Sequence, residues 1–194
     1  MSKLQELLSE IRELEEKVSD ELAREADAFG GRVQQGRVYF EEEIIRRHRQ
    51  LAISLRRYIA ESSLGVLMTV PIIYALILPL ILLDVMVCLY QAVCFPIYKI
   101  PKVKRRAYLT FDRHRLKYIN AIERVHCTYC SYANGLLAFV MEVAARTEQY
   151  WCPIKHAGSV QSPHSRYHHF LAYGDGEGYA SQLDELRKKF DDIK

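Results

Sequence analysis

Hydrophobic positions divide this chain into stretches suited to different solvents. Leu4, Leu7, Ile11, Leu14 and Val18 recur at alternating spacings of three and four, Leu8 and Leu22 widen the stripe, and Glu, Lys and Arg fill the opposite face. Those spacings place side chains on one side of a 3.6-residue helix, so residues 1–30 are expected to form an amphipathic helix that stops at Gly30-Gly31. The spacing also suits a coiled-coil seam, but with fewer than three clean heptads it fits packing within the chain as well. A second helix is expected over residues 38–62. Glu42 and Glu43 stand four residues before Arg46 and Arg47 there, the favourable order for intrahelical pairs. Its later turns become basic.

The next stretch changes character. From Leu64 to Tyr98 the sequence is apolar in nearly every position and carries one formal charge, Asp84. A single spanning helix needs about 20 residues, so these 35 are long for one span and short for two. Arg46, Arg47, Arg49, Arg56 and Arg57 precede the run, and Lys99, Lys102, Lys104, Arg105 and Arg106 follow it. Because Lys and Arg are retained on the cytoplasmic side, two basic flanks predict that the chain enters and returns on one face. The expectation is a helical hairpin over 64–98, of two short transmembrane or re-entrant helices, with Asp84 marking the turn and Pro71, Pro79 and Pro96 permitting kinks. The fold class is then all-α: a membrane-anchored helical protein with cytoplasmic helical segments at both ends.

Beyond the apolar run, residues 110–158 read as a helical module. Asp112 is the expected cap of a helix through Leu116, Ile119 and Ile122 to Cys130, Asn134-Gly135 is a turn signal, and a second apolar helix from Leu136 to about Tyr150 ends near Cys152-Pro153. The remainder, 159–194, is a His- and Tyr-rich loop with Gly174-Asp175-Gly176 as a loop signal, followed by a short charged helix over Gln182 to Phe190.

Composition narrows the function classes. The 27 basic and 24 acidic residues leave a net charge of +3, which gives no support to nucleic-acid binding. The charged pattern starting at Met1 has no basic-then-apolar leader, so the N-terminus is expected in the cytoplasm, at the inner membrane with the C-terminus on the same side. Cys88, Cys94, Cys127, Cys130 and Cys152 are odd in number, and two lie in the apolar run, which argues against a secreted disulfide framework. No phosphate-binding glycine loop, nucleophile elbow or His-Glu-x-x-His motif occurs.

The stretch that could carry chemistry is HCTYC at 126–130 with WCPIKH at 151–156. Cys127, Cys130, Cys152 and His156 form a set of three thiolates and one imidazole, the donors zinc prefers, and the same thiolates suit an iron-sulfur cluster. Geometry sets a condition: on one straight helix Cys127 and Cys152, 25 positions apart, stand about 38 Å apart, so a shared metal needs a break, a dimer or ligands from the tail. A second tier comprises Glu123 and His126 with Glu142, a fragment of the carboxylate di-iron pattern of helical bundles, and His164, with His168 and His169 nearby in sequence. Against these stands ordinary packing, since cysteine is commonly a small buried apolar residue. Arg146, Glu148 and Lys155 are expected to pair structurally with Glu142 or Glu123.

The stretches HCTYCSYANG, RTEQYWCPIKHA and SRYHHFLAYGDGEGY resemble a family of small, uncharacterised bacterial membrane proteins. The resemblance covers the half after the apolar run and implies a membrane location without an activity. Three functions follow as expectations. The first is a membrane-tethered metal or redox accessory module holding zinc or an iron-sulfur cluster. The second is a metal-free membrane scaffold or membrane-shaping protein that self-associates through its N-terminal helix. The third is a membrane enzyme using Glu123, His126 and Glu142. The expected partners are the lipid bilayer and a second copy or a membrane complex.

Overall fold

The structure is a computed structural model that describes residues 3–28, 31–34, 37–40 and 42–193. The chain forms two compact units, one of Met1–Ala60 with Asp112–Arg124 and the other of Glu61–Phe111 with Val125–Lys194.

In the first unit, α1 (Lys3–Ala28) is the expected amphipathic helix. Ile11, Leu14 and Val18 of its stripe are exposed. The side chains of Leu4, Leu7, Leu8 and Leu22, and the expected stop at Gly30, lie outside the described residues. The chain then departs from an all-helical reading. β1 (Gly31–Gln34) and β2 (Arg37–Phe40) pair antiparallel, with Val33 opposite Val38 and Arg32 opposite Tyr39. Valine, tyrosine and phenylalanine fit a pleated surface better than a helix, and two residues between the strands suit a hairpin. The helix expected over 38–62 therefore starts later, as α2 (Glu42–Leu51), and is interrupted before α3 (Leu55–Glu61). His48 sits edge-on between the rings of Phe40 and Tyr118.

The expected hairpin over 64–98 is not formed. α4 (Leu64–Ala75), capped by Ser63, is followed after Leu76 by α5 (Ile77–Tyr98), and Leu76 itself keeps right-handed helical angles. The chain does not reverse, and Asp84 lies inside α5. Together these residues form one helix long and apolar enough to cross a membrane.

The helix α6 (Ala121–Trp151) is also uninterrupted, without the turn expected at Asn134-Gly135. It starts later than Asp112: Asn120 and Glu123 form a reciprocal capping box, each backbone N–H donating to the other's side chain at 2.8 and 3.0 Å. Gly135 is not a breaker but a crossing point. A Cβ there would lie 2.6 Å from the Tyr108 carbonyl oxygen and 3.0 Å from a Leu109 methyl, so only glycine lets that backbone pass.

Within the second unit α5 and α6 run parallel. Tyr132 meets Asp84, Thr147 meets Tyr90 and Tyr150 meets Tyr98, so contacts advance together along both helices. The connection must therefore travel back, and residues 99–109 do so as a strap. Pro101 O accepts from Arg146 at 2.7 Å, the Val103 N–H donates to Gln91 Oε1 at 3.0 Å, Arg105 reaches Asp84, and Tyr108-Leu109 cross Gly135. Phe95, Val103, Leu136, Phe139 and Val143 are buried between these elements, together with Phe190 from the C-terminus. α7 (Gly176–Leu186) is capped by Asp175, whose carboxylate accepts from the Gly178 N–H, and starts at Gly176, six residues before the expected start at Gln182.

Candidate functional site

Two polar clusters close the second unit. The first surrounds Asp84, the charge in the apolar helix. Its carboxylate accepts from Arg105 Nε at 2.9 Å and Nη2 at 2.5 Å, from the Tyr132 hydroxyl at 3.0 Å and from the Cys88 thiol at 3.5 Å. A bidentate guanidinium on a buried carboxylate is the strong form of such a pair. The bond to Asp84 holds the Arg105 guanidinium above its usual range, and burial, with that carboxylate alongside, pushes the Tyr132 phenol up. An acid within an apolar helix is a candidate functional group by default, and here its acceptor capacity goes to fixing the strap to α5 and α6.

The second cluster joins the C-terminal tail to the end of α6. Gln149 donates to the carbonyls of Leu186 and Lys189 at 2.8 Å each, and its own oxygen accepts from Arg166 at 2.6 Å. Arg166 also reaches Asp192 at 2.6 Å and the Lys189 carbonyl at 2.7 Å, and its guanidinium lies over the Phe190 ring. Burial pushes the His168 and His169 imidazoles below the usual histidine range, and the Arg166 charge adds to this.

The residues singled out from the sequence are placed as follows. Cys127 and Cys130 stand one turn apart on α6, half-buried and exposed respectively, and Cys152 is exposed just beyond its far end. Since α6 is continuous from 121 to 151, the 25 positions between Cys127 and Cys152 amount to about 38 Å, and the two thiols do not meet in one chain. His156 stacks on Tyr167 and its backbone N–H donates to that hydroxyl. Among the described residues no group of three or more His, Cys, Asp or Glu side chains is arranged to hold a metal ion.

The second tier is likewise dispersed. Glu123 is the capping residue of α6 and His126 lies against the Tyr74 ring. Glu142 pairs with Arg146 at 2.8 Å and accepts from Ser165 at 2.6 Å, a structural use of the kind expected, although both partners of the ion pair sit on one helix. His164 bonds Glu148 at 3.0 Å. No local pattern points to Gln149 and Arg166, because their partners lie 17 to 40 positions away. No family model, curated protein or solved structure matches the chain.

Proposed function

We propose that this protein is a membrane-embedded helical scaffold, with α4 and α5 as its bilayer anchor. One observation carries the reading. The outward side of a 35-residue apolar helix is lined by exposed leucine, isoleucine, valine and methionine, while its one carboxylate is turned inward and matched by Arg105. Exposing so much contiguous apolar surface to water is costly, at about 25 cal/mol for each Å², and lipid removes that cost. The carboxylates of the enzyme reading and the histidine of the metal reading support the scaffold class too, since Glu123 caps α6, Glu142 joins Ser165 to α6 and His164 bonds Glu148 on α6.

The exposed Ile11, Leu14 and Val18 give the scaffold a second surface, with the spacing of a helix–helix seam, which in this reading joins two copies. The anchor is tested by fractionating cells that express the full chain. It is expected in the membrane pellet after alkaline carbonate, and Leu82→Glu with Val93→Glu should release it. Recovery of the unaltered chain in the soluble fraction would overturn the proposal.

A second reading rests on Cys127 and Cys130 lying one helical turn apart with Cys130 at the surface. Two copies would bring four thiolates together, an all-cysteine set for zinc or an iron-sulfur centre. It predicts one zinc, or one cluster, for every two chains in anaerobically purified protein, lost in Cys130→Ser. Metal-free dimers would exclude it.

A further inference from the structure

The strap fixes how the anchor can lie. α5 rises about 21 Å from Asp84 to Tyr98, and an extended chain from Lys99 to Arg105 covers about 20 Å, so the strap runs back along the helix for that whole length. Residues 102–104 are extended, so their side chains point out, in and out by turns, and the chain then enters a 3-10 turn over Arg105–Ala107. Val103 is buried and Lys102 and Lys104 on either side of it are exposed; in the turn Arg105 reaches inward to Asp84 while Arg106 is exposed, as is Lys99 at the end of the helix. The flank of α5 therefore carries a row of cations parallel to its axis.

A helix standing across the bilayer would carry that row up to about 20 Å along the membrane normal, into hydrocarbon. A helix lying in the plane keeps every cation at one depth. We infer that α5 lies in the plane of an anionic bilayer surface, with Leu78, Leu82, Val85, Leu89, Val93 and Ile97 in the acyl boundary and Lys99, Lys102, Lys104 and Arg106 on lipid phosphates. This rests on the membrane reading above and specifies its partner. α5 itself is apolar on nearly all sides, unlike ordinary interfacial helices. Here the polar side is supplied by the fold, through the strap and α6. Two further features fit. Trp151, 52% exposed, packs edge-on to Tyr98 beside Lys99, the aromatic–basic grouping of membrane interfaces. α4 continues α5 without a charge and with Leu64, Met68 and Ile72 exposed, so the apolar surface offered to the acyl boundary extends beyond α5.

The test uses depth. In full-length protein with Trp151→Phe, tryptophan is introduced at Leu82 or at Val93, exposed positions on the same side of α5 and about 16 Å apart along its axis. Quenching by nitroxides at graded positions in phosphatidylcholine/phosphatidylglycerol vesicles is expected to give equal depths just below the headgroups. Depths differing by about 16 Å would overturn the in-plane orientation while leaving the anchor intact. Quenching at neither position would instead remove the membrane reading. Binding to pure phosphatidylcholine reports the apolar surface alone. Adding phosphatidylglycerol is expected to tighten binding at least about tenfold, an advantage lost in Lys102→Gln/Lys104→Gln/Arg106→Gln; an undiminished advantage in that variant would refute the headgroup contact.

Discussion

Arg105 and Arg166 each fasten a segment to the helices of the second unit, but with partners of different kinds. Arg105 meets side chains: the carboxylate of Asp84, itself shared with Tyr132 and Cys88. Its own side chain is 41% exposed. Arg166 is 3% exposed and meets the Lys189 carbonyl and the Gln149 amide as well as Asp192. A pair made of two side chains can be replaced by a pair of apolar ones. A cation that satisfies backbone carbonyls cannot, because the carbonyls remain whatever the side chains become.

That difference sets the order of effects. Arg166→Ala should be the most disruptive change, costing about 3–5 kcal/mol, since it removes several charge-assisted bonds at once, leaves the Gln149 oxygen buried without its donor and leaves the Lys189 carbonyl with the Gln149 amide alone. Hydrogen exchange should locate the loss in residues 186–193, and Gln149→Leu should not rescue it. Arg105→Leu should cost about 2–3 kcal/mol, less because Tyr132 and Cys88 still serve the Asp84 carboxylate, which can also take up a proton. Here the second substitution should help: Asp84→Leu/Arg105→Leu is expected to unfold at a higher temperature in detergent than Arg105→Leu alone. Equal melting of the two would mean that the clusters do not differ as argued.

The sequence was informative where the signal is local. The apolar run from Leu64 to Tyr98, the stripe of α1 and the end of α6 at Cys152-Pro153 are periodicities or single residues with a direct physical meaning. It misled where tertiary contact overrides propensity. Gly135 costs a helix about 1 kcal/mol relative to alanine and so reads as a break, yet it is kept mid-helix because the strap needs the missing Cβ. Asp84 reads as a turn because its partner Arg105 lies 21 positions away and no local pattern joins them. The hairpin of β1 and β2 did have a signal, in Val33, Val38, Tyr39 and Phe40 around Gly36, but it sat between two stronger helical patterns.

Gly135→Ala probes the Arg105 side of the comparison without touching a charge. The new methyl would meet the backbone of Tyr108, and overpacking of this kind costs about 1–3 kcal/mol. Because the strap carries Arg105, the variant should also weaken the hold on Asp84. A double-mutant cycle with Arg105→Leu is expected to give less than the sum of the single effects, and strict additivity would show that the crossing and the ion pair are independent.

The smallest expected effect is on the Arg166 side and depends on pH. His168 and His169 lie with ring centroids 4.0 Å apart, facing Arg166, Lys155, His164 and Asp192. Burial, and then the neighbouring positive charges, hold both imidazoles below the ordinary value near 6.5. The unfolded chain therefore binds protons at a higher pH than the folded one. Stability from these groups is complete above about pH 6.5 and falls as pH is lowered from there toward their folded-state values. Asp192 does not oppose this within the window: burial would raise its carboxyl, the Arg166 bond and charge outweigh that, and its contribution is lost only below the ordinary carboxylate range. Between pH 7 and 5 the tail should thus loosen gradually, read as faster exchange at residues 186–193, while the strap should not. His168→Asn/His169→Asn should flatten the slope. A slope of equal size at the strap would place the titration elsewhere and remove the contrast between the two clusters.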